Sequence, residues 1–193
     1  AGGALLPTIG DMAGWVKTQL ALYSAQSVIL MGHSMGALVA LEAAAHPAVA
    51  GIVLLGAAAQ MPVHPDLLKQ AAEAPDAAAE LILKWGVFSA HPEAASIKAE
   101  LKQHMQNAAA GALFNDLNAC NIYQHGMAAA RGVACAALVI AGSDDKLAKA
   151  VDSKILAEAM PHGKFSLLPQ TGHMMMVEKP AEVTAEIRTL FFS

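Results

Sequence analysis

The pentapeptide Gly32-His33-Ser34-Met35-Gly36 constrains this chain more than any other stretch, because of what stands on either side of it. Val28-Ile29-Leu30-Met31 is short, apolar and partly β-branched, which predicts a buried strand, and Ala37 to Ala45 is rich in alanine and leucine, which predicts a helix. A strand that reverses into a helix through one tight turn leaves no room for side chains where the two elements approach. Glycine is therefore expected at both position 32 and position 36. Ser34 then projects its hydroxyl above the strand end, with the helix N-terminus behind it. Five residues of this kind also occur as an ordinary turn, so the rest of the chain has to decide between the readings.

It does so by order. Ala136 to Ala141 is a second apolar strand and ends in Gly142-Ser143-Asp144-Asp145; Phe165 to Leu168 is a third and leads into Thr171-Gly172-His173. A serine hydroxyl is a weak nucleophile at neutral pH and needs a base to take its proton, a role open to His173. The base needs an ionised carboxylate to fix its tautomer, and Asp144 and Asp145 are both available. Each candidate follows the C-terminal end of a strand, where open α/β sheets bind their ligands.

With these residues in view, the chain resembles the α/β-hydrolase superfamily, in particular its esterase, lipase and C–C-bond hydrolase branch with a helical cap. The resemblance rests on Gly32 to Gly36, on Gly142 to Asp145 after a strand, and on Gly172-His173 followed by Glu178-Lys179-Pro180 and a final helix, and it covers nearly the whole chain. It implies an α/β fold with a mostly parallel sheet and a catalytic set of Ser34, Asp145 and His173. Asp145 is preferred to Asp144 because the family places the acid three residues beyond the glycine, and no carboxylate follows the strand ending at Gly56. The Met35 N–H would be one oxyanion donor. The second comes, in the family, from a loop after an earlier strand, and Gly2-Gly3 lies too close to the helix at Thr8 to supply it.

Family members begin with four strands that have no counterpart here, so the expectation is a chain lacking the N-terminal part of the sheet, about 60 residues or more at usual element lengths. The edge this leaves on the elbow strand would favour homo-oligomers. The implied activity is serine hydrolysis of an ester or related acyl bond through an acyl-enzyme, without a cofactor. C–C-bond hydrolysis and perhydrolysis use the same constellation, and a non-catalytic fragment or binding module is the rival from another class.

Composition narrows the partners. A net charge of −4 and a pI near 6.0, with scattered basic residues, argue against nucleic acid. Cys120 and Cys135 have neither disulfide-framework nor zinc spacing, and the eight histidines contain no His-Glu-x-x-His pattern, so no metal is expected. No apolar run approaches the roughly 18 residues of a membrane span and no signal peptide opens the chain, which favours a cytoplasmic protein acting on a small ester-like molecule. The chain starts without methionine, and Ala1 to Leu6 reads as the middle of a longer sequence.

The pattern divides the chain into a first part of the hydrolase core, residues 1–59, a helical cap, 60–131, and a second part of the core, 132–193. A helix is expected from Thr8 to Tyr23 and a buried strand over Gly51 to Gly56. In the cap, prolines punctuate short helical stretches, and Trp85, Phe88, Met105, Phe114 and Tyr123 are candidates for the pocket wall or for the cap's own core. Further helices are expected over about Ala150 to Met160 and Ala181 to Phe192. His33 is expected to shape the turn rather than act as a second base, because adjacent residues on a turn point in different directions, while Met174, Met175 and Met176 serve core or pocket.

Overall fold

The computed structural model describes residues 5–22 and 27–192. Four parallel strands, β1 (Val28–His33), β2 (Val49–Leu55), β3 (Ala136–Gly142) and β4 (Gly163–Leu168), pair in sequence order. Helix α1 (Ile9–Leu22) precedes β1, α2 (Met35–Ala43) joins β1 to β2, and α8 (Ala150–Ala159) joins β3 to β4; α9 (Met175–Glu178) and α10 (Pro180–Phe191) follow β4. Five helices, α3 (Pro65–Glu73), α4 (Pro75–Gly86), α5 (Ala94–Gln106), α6 (Ala112–Ile122) and α7 (Gly126–Arg131), lie between β2 and β3. Tyr23, the expected end of the first helix, falls outside the described residues.

The alternation of side chains along the two central strands builds the layers. Ile52 and Leu54 of β2 and Ala137 and Val139 of β3 face one way, into a core with Leu41 of α2 and Leu156 of α8. Val53, Leu55, Leu138 and Ile140 face the other way, onto Met175 and Val183 of the last two helices. Strands covered on both faces have no use for polar residues, which is why β2 and β3 read as continuous apolar runs. β4 lies at one edge and carries the exposed Lys164 there, a charge that discourages further pairing. β1 lies at the other edge, with Met31 56% exposed.

Prolines start helices rather than merely interrupting them. Pro65, Pro75 and Pro180 each occupy a first helical position, where the missing N–H costs no hydrogen bond and the fixed φ suits the helix. Ahead of Pro65, the His64 ring caps α3 by accepting from the Asp66 N–H at 3.2 Å. The short α9 is a feature that the sequence pattern did not predict.

Candidate active site

The turn after β1 is strained where the motif requires it. Ser34 has φ 53° and ψ −120°, a conformation L-residues rarely adopt, and its N–H donates to Leu55 O at 2.9 Å. Its side chain makes no capping bond to α2, which leaves the hydroxyl for the space above the sheet. A Cβ at Gly32 would collide with the backbone of Gly36 and Ala37, so that glycine is obligatory. The expectation for Gly36 is corrected: a Cβ there meets nothing within 4 Å among the described residues, because the close approach is made by its backbone and not by the side its Cβ would occupy. Met35 opens α2, so its N–H has no carbonyl within the helix to bond. Gly2 and Gly3 lie outside the described residues.

The strand ends bring the other two candidates together. His173 Nδ1 lies 2.8 Å from Asp145 Oδ2, and both side chains are almost wholly buried, 2% and 0% exposed. The other oxygen of Asp145 accepts from the N–H groups of Leu147 at 2.8 Å and Ala148 at 2.9 Å, which fixes the carboxylate plane. Asp144 is exposed and accepts instead from Ser143 Oγ at 2.6 Å. With Asp145 as acceptor, Nδ1 of His173 carries the proton and Nε2 keeps its lone pair. Ser34 and His173 line one cavity of about 290 Å³.

His33 lines that cavity too. Its ring stacks on His173 at 4.5 Å between centroids, tilted by 54°, and its Nε2–H donates to the His173 carbonyl at 2.9 Å. Burial, reinforced by the neighbouring His173, pushes the His33 pKa down to about 3, so the ring is neutral and a poor proton acceptor. Of the five wall candidates only Trp85 lines this cavity. Tyr123 instead donates to Glu42 at 2.7 Å beside a separate cavity of about 620 Å³, and Met105 lines a third. Met174 reaches the candidate site, whereas Met175 and Met176 pack in the core. The remaining wall is mostly apolar, with Met61, Leu67, Ile82, Leu117 and Leu147, and also includes His64 and Lys146.

Three supports of His173 come from residues whose sequence setting does not show that role. Gly56 has φ +56°, and a Cβ there would stand 2.9 Å from His173 Nδ1. Gly86 O accepts the His173 N–H at 2.6 Å. Glu178, 5% exposed, accepts from three backbone N–H groups around the His173 loop. Cys120 also lines the cavity, but burial raises its thiol to about 12, which keeps it protonated and unreactive. Among the described residues no group of three or more His, Cys, Asp and Glu is placed to hold a metal ion, and no helix is long and apolar enough to cross a membrane.

Residues 4–187 match the alpha/beta hydrolase family, and the chain belongs to it; it is a hydrolase of that family. No curated protein matches its sequence significantly. Among solved structures it is similar to the enol-lactonase from Burkholderia xenovorans LB400, with a TM-score of 0.88 at 21% identity, covering 96% of this chain and 74% of that one. It is also similar to the esterase EaEST from Exiguobacterium antarcticum, TM-score 0.86 at 15% identity over 97% and 75% of the two chains. A thermophilic esterase from Thermogutta terrifontis gives 0.79 at 24% identity over 97% and 72%. At such identities the likeness establishes a shared fold.

Proposed function

We propose that the chain hydrolyses a small apolar ester or lactone through an acyl-enzyme on Ser34, with His173 as general base and Asp145 as its orienting carboxylate. The observation that carries this reading is the strained Ser34 at the mouth of the cavity that His173 also lines, with His173 held through Nδ1 by Asp145. His173 Nε2 takes the hydroxyl proton as Ser34 Oγ bonds to the substrate carbonyl carbon. The electron pair displaced onto the carbonyl oxygen is met by the Met35 N–H at the start of α2. Collapse breaks the bond to the leaving oxygen, which receives the proton from His173, and water repeats the sequence to free the acid and Ser34. Asp145 stays ionised throughout and stabilises the transient imidazolium.

The walls support an apolar substrate. Leu67 of α3, Ile82 and Trp85 of α4 and Leu117 of α6 come from the helices between β2 and β3, which supports reading residues 60–131 as a cap beside Ser34. A space of about 290 Å³ stands at the small end of ligand pockets, which run from roughly 300 to 1,000 Å³, and suits short acyl chains better than lipids. The enol-lactonase and esterase likenesses point to the same bond type.

The test is Ser34→Ala with p-nitrophenyl esters of increasing chain length. Loss of kcat on the order of ten thousandfold or more, together with loss of fluorophosphonate labelling, is expected for the nucleophile. Turnover near the parental rate would refute the mechanism, and a folded parent chain that takes no fluorophosphonate would favour a binding module.

A further inference from the structure

Glu178 is a buried carboxylate with no cation among its hydrogen-bonding partners. Oε2 accepts from the Gly172 N–H and the Phe88 N–H, both at 3.0 Å, and Oε1 accepts from the Met174 N–H at 3.1 Å. Gly172 and Met174 are the two chain neighbours of His173. Phe88 lies two residues beyond the end of α4, the helix that carries Ile82 and Trp85 into the cavity. Two more bonds join the same pieces: the His173 N–H donates to Gly86 O at 2.6 Å, and His91 Nε2–H donates to the Glu178 carbonyl at 3.0 Å. The approach is close enough that a Cβ on Gly172 would strike Gly86 O and stand 2.7 Å from Phe88 N.

A buried acid is costly unless its charge is met, and three N–H donors meet this one. An apolar residue would fill the space without that cost and leave three N–H groups unpaired. We infer that Glu178 is a positioning residue that ties the His173 loop to the end of α4, so that a substrate seated against Ile82 and Trp85 aligns the imidazole over Ser34. This rests on His173 being the base. Glu178 touches neither the substrate cavity nor the reacting atoms, and it acts through the backbone on either side of His173. Gln in its place keeps the shape but sets an amide donor against at least one backbone donor, which loosens the loop without emptying the space.

The experiment compares the parent chain, Glu178→Gln and His91→Ala in p-nitrophenyl butyrate hydrolysis and in the downfield proton resonance of the His173–Asp145 hydrogen bond, assigned by its loss in Asp145→Asn. For a folded Glu178→Gln we expect kcat to fall on the order of a hundredfold, the usual cost of displacing a reacting group by about 1 Å. KM should stay within about twofold, and the resonance should broaden or vanish. Parental kcat with an intact resonance, a kcat loss with the resonance unmoved, or a loss carried by KM would each overturn the inference. If Glu178→Gln does not fold, His91→Ala decides: a severalfold kcat loss with a broadened resonance supports it, and parental values overturn it. The resonance needs no turnover, so failure of the ester reading itself, seen as an inactive parent chain, remains distinguishable.

Discussion

Gly56→Ala is the most direct way to ask whether the surroundings of His173 govern the reaction. Gly56 follows β2 at φ +56°, held by its own N–H to Ile140 O at 2.9 Å, so the backbone cannot relax to negative φ without giving up that bond. The new methyl would stand 2.9 Å from His173 Nδ1, 3.0 Å from Cε1 and 3.3 Å from the Met175 terminal methyl. The ring has nowhere to retreat. His33 stacks on it at 4.5 Å, Asp145 holds Nδ1, and Gly86 holds the backbone N–H.

The left-handed conformation costs an alanine about 1–2 kcal/mol, and overpacking adds about 1–3 kcal/mol. Together these predict a loss of about 2–5 kcal/mol, or roughly 4–20 °C in Tm at about 2–4 °C per kcal/mol for a chain of this length. The imidazole can accommodate the methyl only by shifting from its bond to Asp145, and if His173 is the base this should lower kcat on the order of a hundredfold. Gly14→Ala is the control, since its Cβ meets nothing within 4 Å and a helix interior gains about 1 kcal/mol from the change. Thermal melts and ester hydrolysis well below both melting points separate the two costs. A variant with a lowered Tm and parental kcat would show that the strain is real but the ring contact is not. Parental values of both would refute the reasoning entirely.

Two further perturbations test the neighbours of that ring. Asp145→Asn should leave His173 in the wrong tautomer and lower kcat about ten-thousandfold, whereas Asp144→Asn, whose carboxylate meets only Ser143 Oγ, should cost little; equal losses in steady-state kinetics would overturn the assignment. His33 has a folded pKa depressed to about 3 against an ordinary 6.5, so the unfolded chain binds its proton first and stability is lost as pH falls from about 6.5 toward 3. Between pH 6.5 and 5 that loss is about 2 kcal/mol, and it should be absent in His33→Gln; urea midpoints that shift equally in both chains across this range would contradict it.

The parts of the site that could be read from the sequence are those whose structure is decided within a few residues. The turn at Ser34 is set by Gly32, whose missing Cβ lets the backbone of Gly36 approach, and the strands are set by apolar runs covered on both faces. Asp145 and His173 could be found because each follows a strand end, and parallel pairing of β3 with β4 then delivers both to the same rim. Gly36 misled because the motif shows that a residue is small without showing which atoms need the space. Phe88, Met105, Phe114 and Tyr123 could not be assigned between pocket wall and cap core, because an aromatic or methionine side chain in the sequence carries no sign of the direction it faces.

What could not be read is the support of His173 from outside its own motif, because those pairs are assembled by the fold from remote stretches of chain. Gly56 at the end of β2 and Gly86 at the end of α4 converge on the His173 loop together with Glu178 of α9; neither glycine belongs to a local pattern that distinguishes it from an ordinary turn glycine, and the run Glu178-Lys179-Pro180 marks the glutamate without showing that it accepts from the N–H groups of that loop. Their geometry nevertheless follows from the same requirement that placed the triad candidates. An imidazole proposed to take a proton from Ser34 needs a fixed ring, and a loop residue is fixed by paired backbone groups on both sides of it. Gly86 and Glu178 meet the N–H groups of Gly172, His173 and Met174 in succession, and His33 meets the His173 carbonyl. These four backbone groups beside the imidazole are thus taken by Glu178, Gly86 and His33, so a change that frees one of them should be felt at Nε2 before it is felt in the fold.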